Sequence, residues 1–211
     1  MLKTIISLVL LTYLLAALPC YADAIIPDLE LSEATIAYGG PGVPSLLVVP
    51  DRSGRPFTQA FDEDGNLVDA TITLIVRDPV GVPFVNYPSE DLWLETDDDG
   101  LVSCTYGLVA DQNTDANGMT FWVDPPAAGC YSEGPVVVMI NGSQLASNAG
   151  LPLQFNSPDI NGDHLVNIAD VAIFAGDYFG SYHFRSDFRR DGVINLTDLA
   201  IFAQAMGANC P

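Results

Sequence analysis

Short runs of alternating or continuous apolar residues dominate the chain from Ile25 to about Asn156. In ATITLIVRD (70–78), Ile72, Leu74 and Val76 would share one face of an extended strand. Four further runs, SLLVV, DLWLE, MTFWV and PVVVMI, are rich in β-branched or aromatic residues and are bounded by Gly, Pro, Asp or Asn. Short strands separated by frequent turn signals are typical of antiparallel sandwiches. We therefore predict a mainly β chain, with a β-sandwich domain at 23–156.

The hydrophobic pattern changes to helical spacing in the last quarter of the chain. Two stretches, 171–179 and 199–206, carry apolar residues three or four positions apart, and the tetrapeptide AIFA occurs at 172–175 and again at 200–203. This spacing predicts two helices from a duplicated unit, whose apolar side chains pack mainly against each other. Residues 157–211 are thus predicted to form a second, small α-helical domain.

A loop rich in carboxylates and amides precedes each predicted helix. The loops are DINGDHLVNIAD (159–170) and DFRRDGVINLTD (187–198), and their first residues lie 28 positions apart. A twelve-residue loop with oxygen ligands at alternate positions is the arrangement of an EF-hand-type Ca²⁺ site. The candidate ligands of the first loop are the side chains of Asp159, Asn161, Asp163, Asn167 and Asp170 and the backbone carbonyl of Leu165. Those of the second loop are the side chains of Asp187, Asp191, Asn195 and Asp198 and the carbonyl of Val193.

The alternative for a single such loop is an ordinary polar turn, because Asp, Asn and Gly also cluster in turns. The duplication favours the metal site. Because a domain of about fifty residues has little core of its own, Ca²⁺ binding would add directly to its stability.

The two patterns D-x-N-x-D-x-x-V-N-x-x-D and D-x-x-x-D-G-x-I-N-x-x-D resemble type I dockerin repeats over residues 157–211. The resemblance implies a calcium-dependent module that docks to a cohesin domain, often within extracellular polysaccharide-degrading machinery. Two positions depart from the family pattern. His164 stands where Gly usually provides a positive φ, and Arg189 stands where an oxygen ligand is expected. We expect a competent first site and a weaker second one.

The β-rich segment resembles bacterial Ig-like domains of the invasin/intimin group over about residues 45–155. The likeness rests on ATITLIVRDPVGVPF and on a later ADQNTDANGMTFW, in which a TDANG turn precedes a late strand. It implies a spacer or recognition module. The segment DQNTDANG (111–118) also contains half a calcium pattern, but Trp122 stands at the closing position. We interpret it as a β-turn.

The N-terminus has the layout of an export signal, predicted to span 1–22. Lys3 provides the positive start, an apolar run extends from Ile5 to Leu18, and CYADA offers small residues for cleavage after Ala22 or Ala24. The apolar run is shorter than the roughly 20 residues that a membrane span needs. We expect a bacterial protein that is secreted or held at the cell surface, with no transmembrane segment.

The charge balance is strongly acidic, with 27 Asp and Glu against 7 Lys and Arg. This argues against binding to nucleic acid. The densest basic group is Arg185, Arg189 and Arg190. It has two interpretations, charge balance within an acidic module or a patch that faces a partner.

The cysteine positions allow more than one pairing. Cys20 would leave with the signal, and an oxidising exterior permits a bridge between Cys104 and Cys130. We predict that disulfide, with Cys210 unpaired. If cleavage falls upstream of Cys20, then Cys20 and Cys210 are an alternative pair.

Catalysis is not expected. No histidine lies between the signal and His164, and no lysine follows Lys3, so a Ser–His relay, a zinc HExxH site and lysine chemistry are excluded from the larger domain. A catalytic pair of carboxylates stays an alternative, because acidic residues are plentiful in this domain. Trp93 and Trp122 could form an aromatic platform for carbohydrate or could lie within the core or on a sheet face. Both lie in strand patterns, which favour the core or sheet position.

Three functions follow from these features. The favoured one is a calcium-binding protein that docks to a cohesin-type or other surface protein. The alternatives are a carbohydrate-binding accessory module and a structural surface protein with a calcium-stiffened cap.

Overall fold

A computed structural model describes residues 26–211 of the chain. The predicted export signal lies outside the described residues. Within them, no helix has both the length and the apolar character that a membrane crossing requires.

Twelve short strands fill the described chain before residue 157. They are β1 (Glu33–Ile36), β2 (Ser45–Leu47), β3 (Ala60–Phe61), β4 (Leu67–Val68), β5 (Ile72–Ile75), β6 (Leu92–Thr96), β7 (Leu101–Ser103), β8 (Met119–Trp122), β9 (Ala128–Cys130), β10 (Val136–Ile140), β11 (Ser143–Gln144) and β12 (Gln154–Asn156). They form four small sheets in the orders β1-β5-β8, β11-β10-β6, β12-β2-β3-β4 and β7-β9. Only β12 and β2 pair in parallel. The prediction of a mainly β chain is confirmed.

One apolar core joins these sheets. Ile72 and Leu74 on β5 are fully buried, and so are Leu92 and Leu94 on β6, in a different sheet. Trp122 on β8 lies opposite Ile72 and belongs to the same core. Because side chains alternate along a strand, every second residue of β5, β6 and β8 reaches this core.

Two α-helices follow, α1 (Ile168–Tyr178) and α2 (Leu196–Ala205). Asn167 and Asn195 cap their N-termini, and each forms a reciprocal capping box with the acidic residue three positions later. Phe174 of α1 and Phe202 of α2 stack with ring centroids 5.3 Å apart. The predicted helices and the packing between them are both present.

The helical segment lies directly against the β domain. Leu47 and Val49 belong to the same apolar cluster as Phe174, Phe188 and Phe202. The small core that the helices lack on their own is thus completed by side chains from the β2 region. A shared core of this kind couples the stability of the two parts.

Polar contacts reinforce this junction. The Asn156 side chain donates to the carbonyl of Asp187 at 2.6 Å, and the Cys130 N–H donates to the carbonyl of Asp159 at 2.6 Å. Both acceptors are the first residues of the acidic loops, so the β domain fixes where each loop begins.

The disulfide joins Cys104 to Cys210, and Cys130 is a free thiol. The predicted Cys104–Cys130 bridge is therefore wrong, and Cys210 is not unpaired. Asn209 forms a β-bridge with Leu165, and the Cys210 N–H donates to the carbonyl of His164 at 3.2 Å. These contacts bring the C-terminal residues back across the first loop to Cys104.

Candidate functional site

The first acidic loop brings three carboxylates together. Ligand atoms of Asp159, Asp163 and Asp170 all lie within 4.8 Å of one another. Asp159 and Asp170 are fully buried, whereas Asp163 faces solvent. Among residues 26–211, no other cluster of at least three acidic, His or Cys side chains meets this distance. The grouping suits a cation that enters from the solvent side.

Backbone N–H groups position the Asp159 carboxylate. The Asp163 N–H donates to its Oδ1 at 3.1 Å, and the His164 N–H donates to its Oδ2 at 2.9 Å. His164 has a φ of 70°, the left-handed conformation that the loop needs at this point and that His adopts more readily than most residues. The departure from Gly at this position leaves the loop turn intact.

The Asp170 carboxylate closes the loop. Its Oδ1 accepts from the Asn161 N–H at 3.1 Å, and its Oδ2 accepts from the Asn167 N–H at 2.9 Å. Asp170 is also in the first turn of α1. The start of the helix and the end of the loop are therefore fixed by one side chain.

The neutral candidate ligands border the same loop. The Asn161 amide donates to Asp163 Oδ2 at 3.1 Å, and the Asn167 amide donates to the Leu165 carbonyl at 3.0 Å. All the candidate donors are oxygen atoms, as hard cations such as Ca²⁺ and Mg²⁺ prefer. The residues fit an oxygen-coordinated divalent cation.

Electrostatics in the first loop disfavour three free negative charges. Burial raises the pKa of Asp159, and the neighbouring Asp170 carboxylate raises it further. A bound cation would remove both penalties, because it supplies the opposite charge at the point where the carboxylates converge.

The second loop repeats the backbone geometry of the first. The N–H groups of Asp191 and Gly192 donate to the Asp187 carboxylate at 3.2 and 2.8 Å. The N–H groups of Arg189 and Asn195 donate to the Asp198 carboxylate at 3.1 and 2.9 Å. The duplication seen in the sequence is therefore a duplication of hydrogen bonds.

The side chains of the second loop differ from those of the first. Tyr182 donates its hydroxyl to Asp187 Oδ2 at 3.0 Å, and the pKa of Tyr182 is raised to about 12 by burial and by that carboxylate. Arg189 lies beside Gly65 and Arg55 of the β domain. The guanidinium thus occupies the junction with the β domain, and the ligand position that it leaves has no oxygen donor.

The amide and carbonyl of the second loop keep the positions of their counterparts. The Asn195 side chain donates to the Val193 carbonyl at 3.2 Å and accepts from the Thr197 N–H at 2.7 Å. Burial raises the pKa of Asp198, and Asp187 and Asp191 add to this effect. The carboxylates of Asp187, Asp191 and Asp198 do not, however, converge within the 4.8 Å that separates those of the first loop.

An apolar groove lies between the outer faces of α1 and α2. Its volume is about 350 Å³, and its lining residues are Val171, Phe174, Ala175, Tyr178, Phe179, Leu199, Phe202, Ala203 and Met206. The stacked rings of Phe174 and Phe202 are buried at its base. At its rim, Phe179 is 85%, Leu199 41% and Met206 46% exposed. Exposed apolar patches of this kind are common at the interaction sites of proteins.

Two of the three clustered arginines contact other side chains of the chain. Arg185 donates to both carboxylate oxygens of Asp177, at 2.8 and 2.9 Å. The Arg190 guanidinium lies 4.9 Å from the ring centroid of Phe184 and 3.8 Å from Glu63. These contacts favour the charge-balance interpretation of the cluster.

The two tryptophans have different environments. Trp122 is 2% exposed and its indole N–H donates to the Leu108 carbonyl at 3.0 Å, so it is a core residue. Trp93 is partly exposed on the outer face of β6, where its indole donates to Glu95 at 2.7 Å. Sequence reasoning did not identify the exposed Tyr106 near it, because no local pattern distinguishes that residue.

The predicted turn at 111–118 is formed by Asp115. Its Oδ1 accepts from the N–H groups of Asn117 and Met119 at 2.7 and 2.9 Å. Gly118 follows with a φ of 72°. The side chain that would have been a metal ligand thus stabilises the turn before β8.

No family model matches the chain, and no curated protein sequence matches it. Among solved structures, the crystal structure of the Lin-41 filamin domain aligns with 60% of this chain and 95% of its own, at 12% identity and a TM-score of 0.29.

Proposed function

We propose that the chain is an exported, non-catalytic protein whose C-terminal unit binds Ca²⁺ and docks to a protein partner. The resemblance to dockerin repeats makes a cohesin-type domain the first partner to test. The single observation that carries the proposal is the convergence of three carboxylates in a loop whose hydrogen bonds are repeated 28 residues later.

Calcium is favoured over other metals by the chemistry of the donors. Every candidate ligand atom is a carboxylate, amide or carbonyl oxygen, and no His or Cys is among the candidate ligands of either loop. Ca²⁺ accepts six to eight oxygens in flexible geometry, which suits a loop of mixed side-chain and backbone donors. Mg²⁺ requires near-ideal octahedral coordination and keeps more water molecules among its ligands.

The proposed docking surface is the groove between α1 and α2. Asp170 and Asp198 lie in the first turns of the two helices and are also candidate ligands. An ion in each loop would therefore hold the start of each helix, and with it the width of the groove. The groove's apolar rim suits a partner with an apolar patch of its own, as in helix-in-groove and sheet-face contacts.

The β domain is inferred to be an Ig-like sandwich that acts as a spacer or recognition module. The support is the sequence likeness over residues 45–155 and the single core that joins several small sheets. The domain would present the C-terminal unit at a fixed orientation, because Leu47 and Val49 share a core with the helices.

A second candidate function is a calcium-stiffened structural cap. It is favoured by the Cys104–Cys210 bridge, which ties the end of the chain to the β domain. In this case the metal would serve stability and no partner would occupy the groove.

The deciding experiment uses the chain from residue 23 to 211. Calorimetry with Ca²⁺, and capture of a recombinant cohesin domain with and without chelator, are compared for the unmodified chain and Asp159→Ala. Asp124→Ala is the control for the loss of one negative charge, because Asp124 is an acidic residue that lies outside both loops. Calcium-dependent capture that Asp159→Ala abolishes supports docking. Calcium binding that raises stability without any capture supports the cap, and absence of calcium binding contradicts both.

A further inference from the structure

A second concave site lies on the β domain, remote in sequence from the acidic loops. It is a cavity of about 530 Å³ formed by the outer face of β6, the turn that follows it, β7 and the next turn. Its distinctive lining residues are Glu90, Trp93, Glu95, Asp99, Ser103 and Tyr106. We call it the Trp93 cleft. Its volume is within the range of small-ligand sites.

Aromatic surface is available to a ligand in this cleft. The strand pattern of β6 buries Leu92 and Leu94 and leaves Trp93 on the outer side. The indole N–H of Trp93 donates to Glu95 Oε1 at 2.7 Å, which fixes the orientation of the ring. Tyr106 is 65% exposed. A ring held by a hydrogen bond loses little freedom when a ligand stacks on it.

Tyr106 has an unusual backbone conformation. Its φ is 56°, a region that bulky residues rarely adopt and that Gly adopts without strain. The turn is held in place by Arg52, whose Nη2 donates to the Tyr106 carbonyl at 2.9 Å, and by the Cys104 disulfide two residues earlier. Since the side chain is largely exposed, core packing does not account for Tyr at this position. Strain at an exposed aromatic residue points to a use in binding.

The polar lining of the cleft accepts hydrogen bonds. Glu90 and Asp99 belong to none of the ion pairs of the described residues, and no basic residue lines the cleft. Ionised carboxylates are acceptors only, so they suit a ligand that carries donors. An anionic ligand would be repelled by three acidic side chains.

We propose that the Trp93 cleft binds a saccharide that carries no carboxylate or sulfate group. The rings of Trp93 and Tyr106 stack on the apolar C–H faces of the sugar, and the carboxylates of Glu90 and Asp99 accept hydrogen bonds from its hydroxyls. A sugar ring combines an apolar face with donors around its edge, which matches this mixture of aromatic surface and acceptors. The inference does not depend on calcium binding or on docking.

The test measures binding of chain 23–211, with Ca²⁺ present, to soluble polysaccharides by affinity electrophoresis and calorimetry. The probes are a neutral β-glucan, a xylan and a galactomannan, with polygalacturonate as the anionic control. We expect binding to at least one neutral polymer and none to polygalacturonate. Trp93→Ala and Tyr106→Gly should each weaken that binding about ten-fold or more, as loss of an aromatic anchor does.

Tyr106→Gly separates binding from folding. Because Gly accepts the positive φ, this variant should melt at the same temperature as the unmodified chain or higher, while its binding falls. Phe179→Ser is the matched control, since it removes an exposed aromatic side chain from the helical groove, and it should leave saccharide binding unchanged. Conversely, Tyr106→Gly should leave capture of a protein partner unchanged.

Three results would overturn the proposal. One is failure of all three neutral polymers to bind, and another is binding that persists in both Trp93→Ala and Tyr106→Gly. The third is binding of a lysine-rich peptide, lost in these variants, without any saccharide binding, which would assign the cleft to a cationic protein segment.

Discussion

Asp170 and Asn167 form a reciprocal capping box at the start of α1. The Asn167 N–H donates to Asp170 Oδ2 at 2.9 Å, and the Asn167 side chain accepts from the helix in return. Both residues are also candidate metal ligands. The same pair recurs as Asp198 and Asn195 at the start of α2. Any ion that binds these loops therefore acts on the ends of the two helices that border the groove.

The two loops are predicted to bind Ca²⁺ unequally. Calorimetry on chain 23–211 should give one tight site and one weak or absent site, because the first loop has an amide at Asn161 where the second has Arg189. Ligand number and charge tune calcium affinity over decades. Asp159→Ala should abolish the tight site, and Arg189→Asn should strengthen the weak one. Two equal sites in the unmodified chain would contradict the ligand assignment. The whole chain is used because Leu47 and Val49 complete the core of the helical unit.

Loss of the disulfide is predicted to destabilise the junction. Cys104 and Cys210 are 106 residues apart, and closing a loop of this length stabilises by about 4–5 kcal/mol on the loop-entropy estimate. Cys210→Ser should therefore lower the free energy of unfolding by about 2–5 kcal/mol in denaturant titrations. Cys130→Ser is the control and should change it little, because that thiol is free. Peptide mapping without reductant that links Cys104 to Cys130 would disprove the pairing.

Two substitutions in the groove are predicted to affect partner binding and stability differently. Phe179 is 85% exposed, so Phe179→Ser should leave the melting temperature nearly unchanged while it weakens capture of the protein partner. Phe202 lies at the base of the groove and is 2% exposed, so Phe202→Ala should cost about 3–5 kcal/mol of stability. Thermal melts and capture assays on both variants check this contrast. Equal loss of stability in the two would mean that Phe179 is part of the core.

Asp98 is predicted to make the β domain sensitive to acid. Burial opposes its charged form, but hydrogen bonds from Ser132, Gly100 and Gly134 outweigh burial and lower the pKa to about 2. A carboxylate whose pKa is lower when folded stabilises the protein above its unfolded pKa, near 4. That contribution is lost as pH falls from about 4 through about 2. After allowance for solvent screening it amounts to about 1 kcal/mol.

The comparison with Asp98→Asn isolates this effect. In denaturant titrations with chelator present, the unmodified chain should be more stable than the variant at pH 7, and the difference should shrink toward pH 2.5. All other carboxylates titrate in both proteins, so their contributions cancel. A difference that stays constant across this range would show that Asp98 does not titrate in the predicted window.

The acidic loops and helices could be predicted because their determinants are local. The spacing of Asp159, Asp163 and Asp170 places their carboxylates around one turn at His164, and they converge there. The same spacing at Asp187, Asp191 and Asp198 does not give an equally close cluster, so the spacing predicts the loop but not the distances between its carboxylates. Helix starts are encoded by Asn and Asp three positions apart. The same holds for the strands, since alternation in residues 72–76 determines which side chains face the core.

The disulfide could not be predicted in this way. Cys104 and Cys130 are the closer pair in sequence, and loop length alone favours neither partner strongly, because closure entropy grows slowly with length. The choice depends on the path of the last residues, where Asn209 pairs with Leu165 and carries Cys210 to Cys104. The sequence of neither segment shows that a residue near the chain terminus will pair with a residue of the loop.

By itself, the sequence determined the mainly β character, the duplicated loop–helix unit and the candidate ligands, since each depends on residues close together along the chain. The tertiary structure decided three further features: the pairing of Cys210, the shared core of Leu47 and Val49 with the helices, and the meeting of Trp93 and Tyr106 around one cleft. Each of these joins segments whose separate patterns carry no information about one another. Their contact arises only when the hydrophobic core fixes the path of the whole chain.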